Sequence, residues 1–293
     1  MTGSIYDLGY RGYEGPRLGR RHAVSTLVRH SARSVFGFGR GGRSKIMPLI
    51  CVGVPALIAL ILVGIRAFAA QIGAGELPVI PGHDGMYAVV SAFPTLFVAA
   101  QAPELLGRDQ RYRVLTLYFS RALRRIDYAL AKLAALSIGV FVILVLPQVL
   151  LGVGTILMDP DILKALGKEA GAIVPVLGSS IVIAVATAAP AMAVASLTPR
   201  RAYATAAIFG VFIIPGIVAA IISELDVGEL SRWIVMIDIG SLLDGVNAWF
   251  FDTAAHANDF GPTVPVWTLA AGAVVIGAAS AIALVWRYRR IQA

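Results

Sequence analysis

Charge and cysteine are what this chain has least of. Asp, Glu, Lys and Arg make up 14% of its 293 residues, against about a quarter in a typical soluble domain, which is too few for an ordinary polar surface. The single cysteine, Cys51, lies inside an apolar run, which excludes a disulfide framework and any cysteine-held metal cluster and leaves a small buried hydrophobe. Several motifs are missing as well. No G-x-x-x-x-G-K-[ST] is present, so the chain has no P-loop to hold ATP. H-E-x-x-H, G-x-S-x-G and D-x-[DN]-x-[DN]-G are equally absent. His22, His30, His83 and His256 all fall outside the apolar runs, which argues against bis-histidine haem ligation or an intramembrane zinc site. The runs also lack the paired mid-membrane carboxylates of an ion-coupled pump.

What is abundant is apolar sequence. Hydrophobic residues reach 58% and the mean hydropathy is +0.79, values that read as an all-α polytopic membrane protein. About 20 apolar residues cross a bilayer, and six segments predict spans: 46–70, 86–106, 128–150, 172–197, 202–222 and 266–286. Pro55, Pro94, Pro147, Pro190 and Pro215 lie within them and predict kinks, since neighbouring helices can satisfy the freed carbonyls. Residues 1–45 are polar and basic with no apolar core of a signal peptide, so the amino terminus is expected to stay in the cytoplasm.

The positive charges are distributed unevenly. Twenty-one Lys and Arg fall on one side of the predicted spans and three (Lys164, Lys168, Arg232) on the other, with Arg66 near the outer end of span 1. The positive-inside rule therefore predicts both termini in the cytoplasm. It also explains the formal charge of +8 through orientation and anionic lipid rather than nucleic acid. Three parts follow: a tail over 1–45, a six-span membrane domain over 46–286 and a basic end over 287–293.

Two segments outside the spans are amphipathic. Val24, Leu27, Val28, Ser31 and Val35 recur at helical spacing with Arg29 and Arg33 opposite, which predicts a helix along the inner membrane surface. Between spans 5 and 6, Leu230, Trp233, Ile234 and Ile237 and then Leu242, Leu243, Val246 and Phe250 predict short external helices, with Trp233, Trp249 and Phe250 as interfacial anchors.

The remaining charged stretch is PELLGRDQRYRVLTLYFSRALRRIDY, residues 103–128. A transport pathway without its own ATPase needs a cytoplasmic feature that a partner ATPase can grip, and this is the largest loop on that side. Val114, Leu117 and Tyr118 form an apolar edge beside Arg108, Arg111 and Arg121, suited to a partner's groove with an acidic rim. Glu104, near the inner end of span 2, needs a partner, and Arg108 or an arginine of the amino-terminal helix are the candidates.

Pro103–Glu104, Arg108–Asp109, Leu115, Phe119–Ser120, Arg124–Arg125 and Lys132 together resemble the permease subunits of the ABC-2 family, the type V exporters. Arg113 and Val114 stand where that family usually has Gly-Thr, and Ala122 where it has Pro. The resemblance extends to the layout of connecting helix, six spans and external helices. It implies export across a bacterial plasma membrane by a homodimer or a pair of related permeases, driven by two cytoplasmic ATPase subunits that bind the ATP and magnesium. The residues it assigns to coupling are Glu104, Arg108, Asp109, Arg111, Arg113, Val114, Leu115, Leu117, Tyr118 and Arg121. The apolar spans suit an amphiphilic drug or lipid-like cargo. A membrane-embedded lipid-modifying enzyme and a non-catalytic scaffold are the competing readings, the first of which needs an interfacial Asp, His or Lys cluster.

Overall fold

The computed structural model describes residues 15, 18–39, 41–73, 81–112, 114–119, 123–225, 228–255 and 264–290. Among them there is no strand. The helices are α1 (Gly19–Val35), α2 (Arg43–Gln71), α3 (Met86–Val90), α4 (Ala92–Arg111), α5 (Leu115–Phe119), α6 (Arg125–Met158), α7 (Ile162–Ala195), α8 (Arg201–Glu224), α9 (Glu229–Trp233), α10 (Ile239–Phe251) and α11 (Val266–Arg290), with a 3-10 turn over Ile234–Ile237. Five of them, α2, α6, α7, α8 and α11, are long and apolar enough to cross a membrane, or six spans if the bent pair 231–237 and 239–251 counts as one.

The centre is a hairpin of α6 and α7, 34 residues each. At about 1.5 Å per residue each arm runs about 51 Å, well beyond about 30 Å of hydrocarbon. The predicted spans 128–150 and 172–197 are therefore the membrane-sized parts of longer rods, and most of the connection expected between them is helical. It continues because it packs along its length: Leu151, Gly152 and Gly154 of α6 and Ala165 of α7 are all buried. The turn itself takes three residues. The Asp161 side chain accepts the Lys164 N–H to start α7, and Asp159 accepts the Asp161 N–H at 2.9 Å.

The predicted span 86–106 is not one continuous apolar helix and is not among the five. It breaks at Ser91 into α3 and α4, because Pro94 has no N–H to give the carbonyl of Val90. α4 also carries Gln101 and Glu104 within its length. It tolerates them because it packs against α2, α6, α7 and α8, with Phe97, Val98, Ala99 and Ala102 buried, so protein rather than lipid surrounds it.

Contacts sort the helix termini into two ends. At one, the arginine-rich end, α1, the tail of α4, α5, the head of α6, the tail of α7, the head of α8 and the tail of α11 meet. Arg20 reaches Asp127, Arg201 reaches Glu104, and Arg287 reaches the Ser196 carbonyl. The opposite end gathers residues 81–85, the α6–α7 turn and α10. Because α8 leaves at that opposite end and α11 starts there, the segment between them enters and returns on the same side. Its 93° bend sits at Asp238, whose backbone is extended and whose carboxylate accepts from Gly240 N, Ser241 N and Ser241 Oγ and so starts α10 afresh. α10 is inserted rather than superficial: Ile239, Leu242, Leu243, Val246 and Ala248 are buried against α11 and α7.

Candidate functional site

The arginine-rich end holds a cavity of about 440 Å³ between α1, α4, α5 and α6, with His30 and Ser31 on one wall, Glu104 and Arg108 on another, and Leu117 and Tyr118 on a third. Its walls are set from the sequence upward. The apolar stripe of α1 buries Leu27, Ser31 and Val35 against α6 and α4, and Phe36 meets Phe97 with ring centroids 6.0 Å apart. That stripe therefore covers protein. Val24 and Val28 are half-buried beside it, and Arg29 and Arg33 are exposed. The helix is tied at its start by Arg20, whose Nη2 donates to Asp127 Oδ1 at 2.6 Å; this bond, opposed by some desolvation, raises the Arg20 pKa further.

A buried polar network underlies the cavity. Asp109 receives Lys132 Nζ at 2.8 Å and the Tyr128 hydroxyl at 2.7 Å. Both Lys132 and Tyr128 are buried, so the Asp109 charge is compensated by a cation and a hydroxyl brought from one helical turn of α6. Next to it Gln110 Nε2 donates to the Ser196 carbonyl and the Tyr288 hydroxyl, each at 3.2 Å. The tail of α4 is thus tied to α6, α7 and α11 at once.

α5 rests on this network through aromatic contacts. Tyr118 and Phe119 lie 5.5 and 6.0 Å from Tyr128, and Tyr128 lies 5.3 Å from Tyr288. Arg125 sits over the Phe119 ring at 5.8 Å. Burial, and then the Asp109 carboxylate, raise the Tyr118 pKa, so its hydroxyl stays neutral. Leu115 is buried beneath the helix, while Leu117 on the other side is 67% exposed. This five-residue helix therefore has one face cemented to the bundle and Leu117 exposed on the other.

The residues predicted for coupling are distributed as follows. Glu104 takes Arg201 Nη1 at 2.6 Å, an arginine from the head of α8 rather than Arg108 or one from α1. Arg108 and Arg111 are exposed, and Val114 is half-buried on the cavity wall. Arg113 and Arg121 lie outside the described residues. At the opposite end Trp233 and Trp249 are exposed, and Phe250 packs edge-on to Trp249 at 5.0 Å. Sequence reasoning did not find Tyr128, Tyr288 or Arg201. Tyr128 carried a signal, one turn ahead of Lys132 on the same helix; the other two are distant in sequence and carried none.

No group of three or more His, Cys, Asp or Glu that could hold a metal ion occurs among the described residues. No protein-family model matches the chain, and no curated protein matches it.

Proposed function

We propose that this chain is the membrane subunit of an ATP-driven exporter of the ABC-2 type, working in a bacterial plasma membrane with separate ATPase subunits. The observation that carries the reading is α5, exposed at Leu117 and stacked through Tyr118 and Phe119 on Tyr128. In this reading the arginine-rich end faces the cytoplasm and both termini lie there. An ATPase seats against Leu117, Arg108 and Arg111 with an apolar groove and an acidic rim. Its motion on ATP binding presses α5, and the push travels through Tyr128 and Tyr288 into α6 and α11. α4, shielded inside the bundle, moves with them because Asp109 and Gln110 tie it to the same helices. Two copies, or this chain with a related one, enclose the pathway, and the cargo is amphiphilic. The apolar exposed surfaces of α2, α8 and α11 supply the faces for lipid and for the second copy.

The test is co-purification from the native membrane followed by substitution. The wild-type chain is expected to bring down an ATPase encoded beside it and to show no ATP hydrolysis after that partner is stripped away. Leu117→Glu and Arg108→Glu are each expected to reduce partner recovery and coupled ATPase activity at least about tenfold, with Tm unchanged because both side chains are exposed. ATP hydrolysis by the stripped chain, or full recovery of the partner with both variants, overturns the proposal.

A further inference from the structure

At the opposite end of the bundle the loop before α3 carries an imidazole placed between two acceptors. His83 Nδ1 lies 2.6 Å from Gln148 Oε1 of α6, and Nε2 lies 2.8 Å from Glu169 Oε2 of α7. The orientation of the Gln148 amide is fixed independently, since its Nε2 donates to the His83 carbonyl at 2.9 Å. Its Oε1 is therefore the atom that meets the ring. The carboxylate is fixed too: Thr155 Oγ1, 2.8 Å from the Gly152 carbonyl, donates to Glu169 Oε1 at 2.6 Å. A neutral imidazole has one N–H and one lone pair. It satisfies one of these two oxygens and turns a lone pair toward the other at hydrogen-bond distance. Only the imidazolium donates to both.

We propose that His83 is a proton-operated clasp: with both ring nitrogens protonated it bridges α6 and α7 across the 81–85 loop, and loss of one proton opens one of the two bridging bonds and loosens the loop. The loop is a connection worth locking. Arg66 of α2 donates to the Pro81 carbonyl at 2.9 Å, and Asn247 of α10 donates to the Asp84 carbonyl at 2.7 Å. With His83 closed, four elements, α2, α6, α7 and α10, are joined through five residues. The ring and Glu169 are each 17% exposed, so the proton exchanges with water. Gly152 of α6 makes room for the pair, because a Cβ there would stand 3.0 Å from Glu169 Oε2 and 3.6 Å from His83 Cε1.

The elements packed around the loop carry these charged and polar groups. From α7 comes Glu169 in direct contact; α6 offers the neutral Gln148 and Thr155; α2 offers Arg66, engaged with the Pro81 carbonyl; the loop itself carries Asp84; and α10 carries the buried Asp244. The closed form holds one proton more than the open form, so raising the pH shifts the equilibrium toward opening, in the range where histidine exchanges its charge, roughly pH 5 to 8. The clasp is independent of the exporter reading, and needs only that this end face water.

The experiment uses the full chain in lipid nanodiscs with ¹⁵N-labelled histidine, His83 being assigned by loss of its signals in His83→Gln. At about pH 5.5 the wild-type ring is expected to show two protonated nitrogens. Hydrogen exchange over 81–90, corrected for intrinsic rate, is expected to lose about tenfold or more of its protection by about pH 8.5. His83→Gln is expected to remove that pH dependence, and Glu169→Gln to lower protection at about pH 5.5. A neutral single tautomer at about pH 5.5, protection that ignores pH, or an unchanged pH dependence in His83→Gln overturns the proposal. The wild-type spectrum decides alone if the variants do not fold.

Discussion

The two ends of the bundle hold their carboxylates in different ways. At the arginine-rich end Asp109 faces Lys132, Glu104 faces Arg201 and Asp127 faces Arg20. At the opposite end the cation that faces Glu169 is a histidine. One end is held by lysine and arginine side chains, while at the other the proposed clasp depends on a proton. Both sets attach to the same rod, since α6 carries Lys132 near its head and Gln148 about 24 Å further along at 1.5 Å per residue.

The strongest way to break that contrast is to remove the buried cation at the arginine-rich base. Lys132→Met leaves the half-buried Asp109 carboxylate with only the Tyr128 hydroxyl, and the expected loss is about 2–4 kcal/mol of stability. Adding Asp109→Asn is expected to restore most of it, since no charge is then left uncompensated and the Tyr128 hydroxyl keeps an acceptor. Thermal unfolding in detergent, with cycles of single and double variants, measures both steps. A single-variant loss under about 1 kcal/mol would show that the base is not pinned by this pair.

The next effect tests whether the base depends on packing as closely as on charge. A Cβ at Gly139 of α6 would stand 2.5 Å from Phe97 Cε1 of α4 and 3.0 Å from Val35 Cγ1 of α1. The Phe97 ring is fully buried and cannot swing away. Gly139→Ala is therefore expected to cost about 1–3 kcal/mol and to loosen α1 selectively, readable as faster hydrogen exchange over 19–35 with α10 unaffected. Uniform loosening of both ends would mean that the two ends are not separable.

How much of this was legible in the sequence follows from which interactions are local. Hydropathy located α2, α8 and α11 to within a few residues, because a lipid-facing helix must be apolar along its crossing. It shortened α6 and α7, since beyond the bilayer their packing surface is each other and needs no long apolar run. The break at Ser91 was written in Pro94, read as a kink. The stripe Leu27, Ser31, Val35 was legible as amphipathic, but a stripe of that kind fits a lipid surface or a helix bundle equally well. The apolar edge Val114, Leu117 and Tyr118 was visible, while its support, Tyr128 and Tyr288, depends on α11 arriving from the far end of the chain. Glu104 with Arg201 and His83 with Glu169 are separated by 97 and 86 residues, and nothing in the sequence alone joins such partners.

The smallest expected effect sharpens the comparison from within the base. Arg201 is 65% exposed and its partner Glu104 19% exposed, so the pair stands at the rim where water screens it. Arg201→Gln is expected to cost under about 1 kcal/mol, with the cost shrinking as salt rises. The same substitution logic applied to Lys132, which is buried, gives a loss several times larger and nearly salt-independent. If Arg201→Gln instead matched Lys132→Met in size and ignored salt, Glu104 would have to sit in a low-dielectric site, and the head of α8 would belong to the pinned base rather than to its wetted edge.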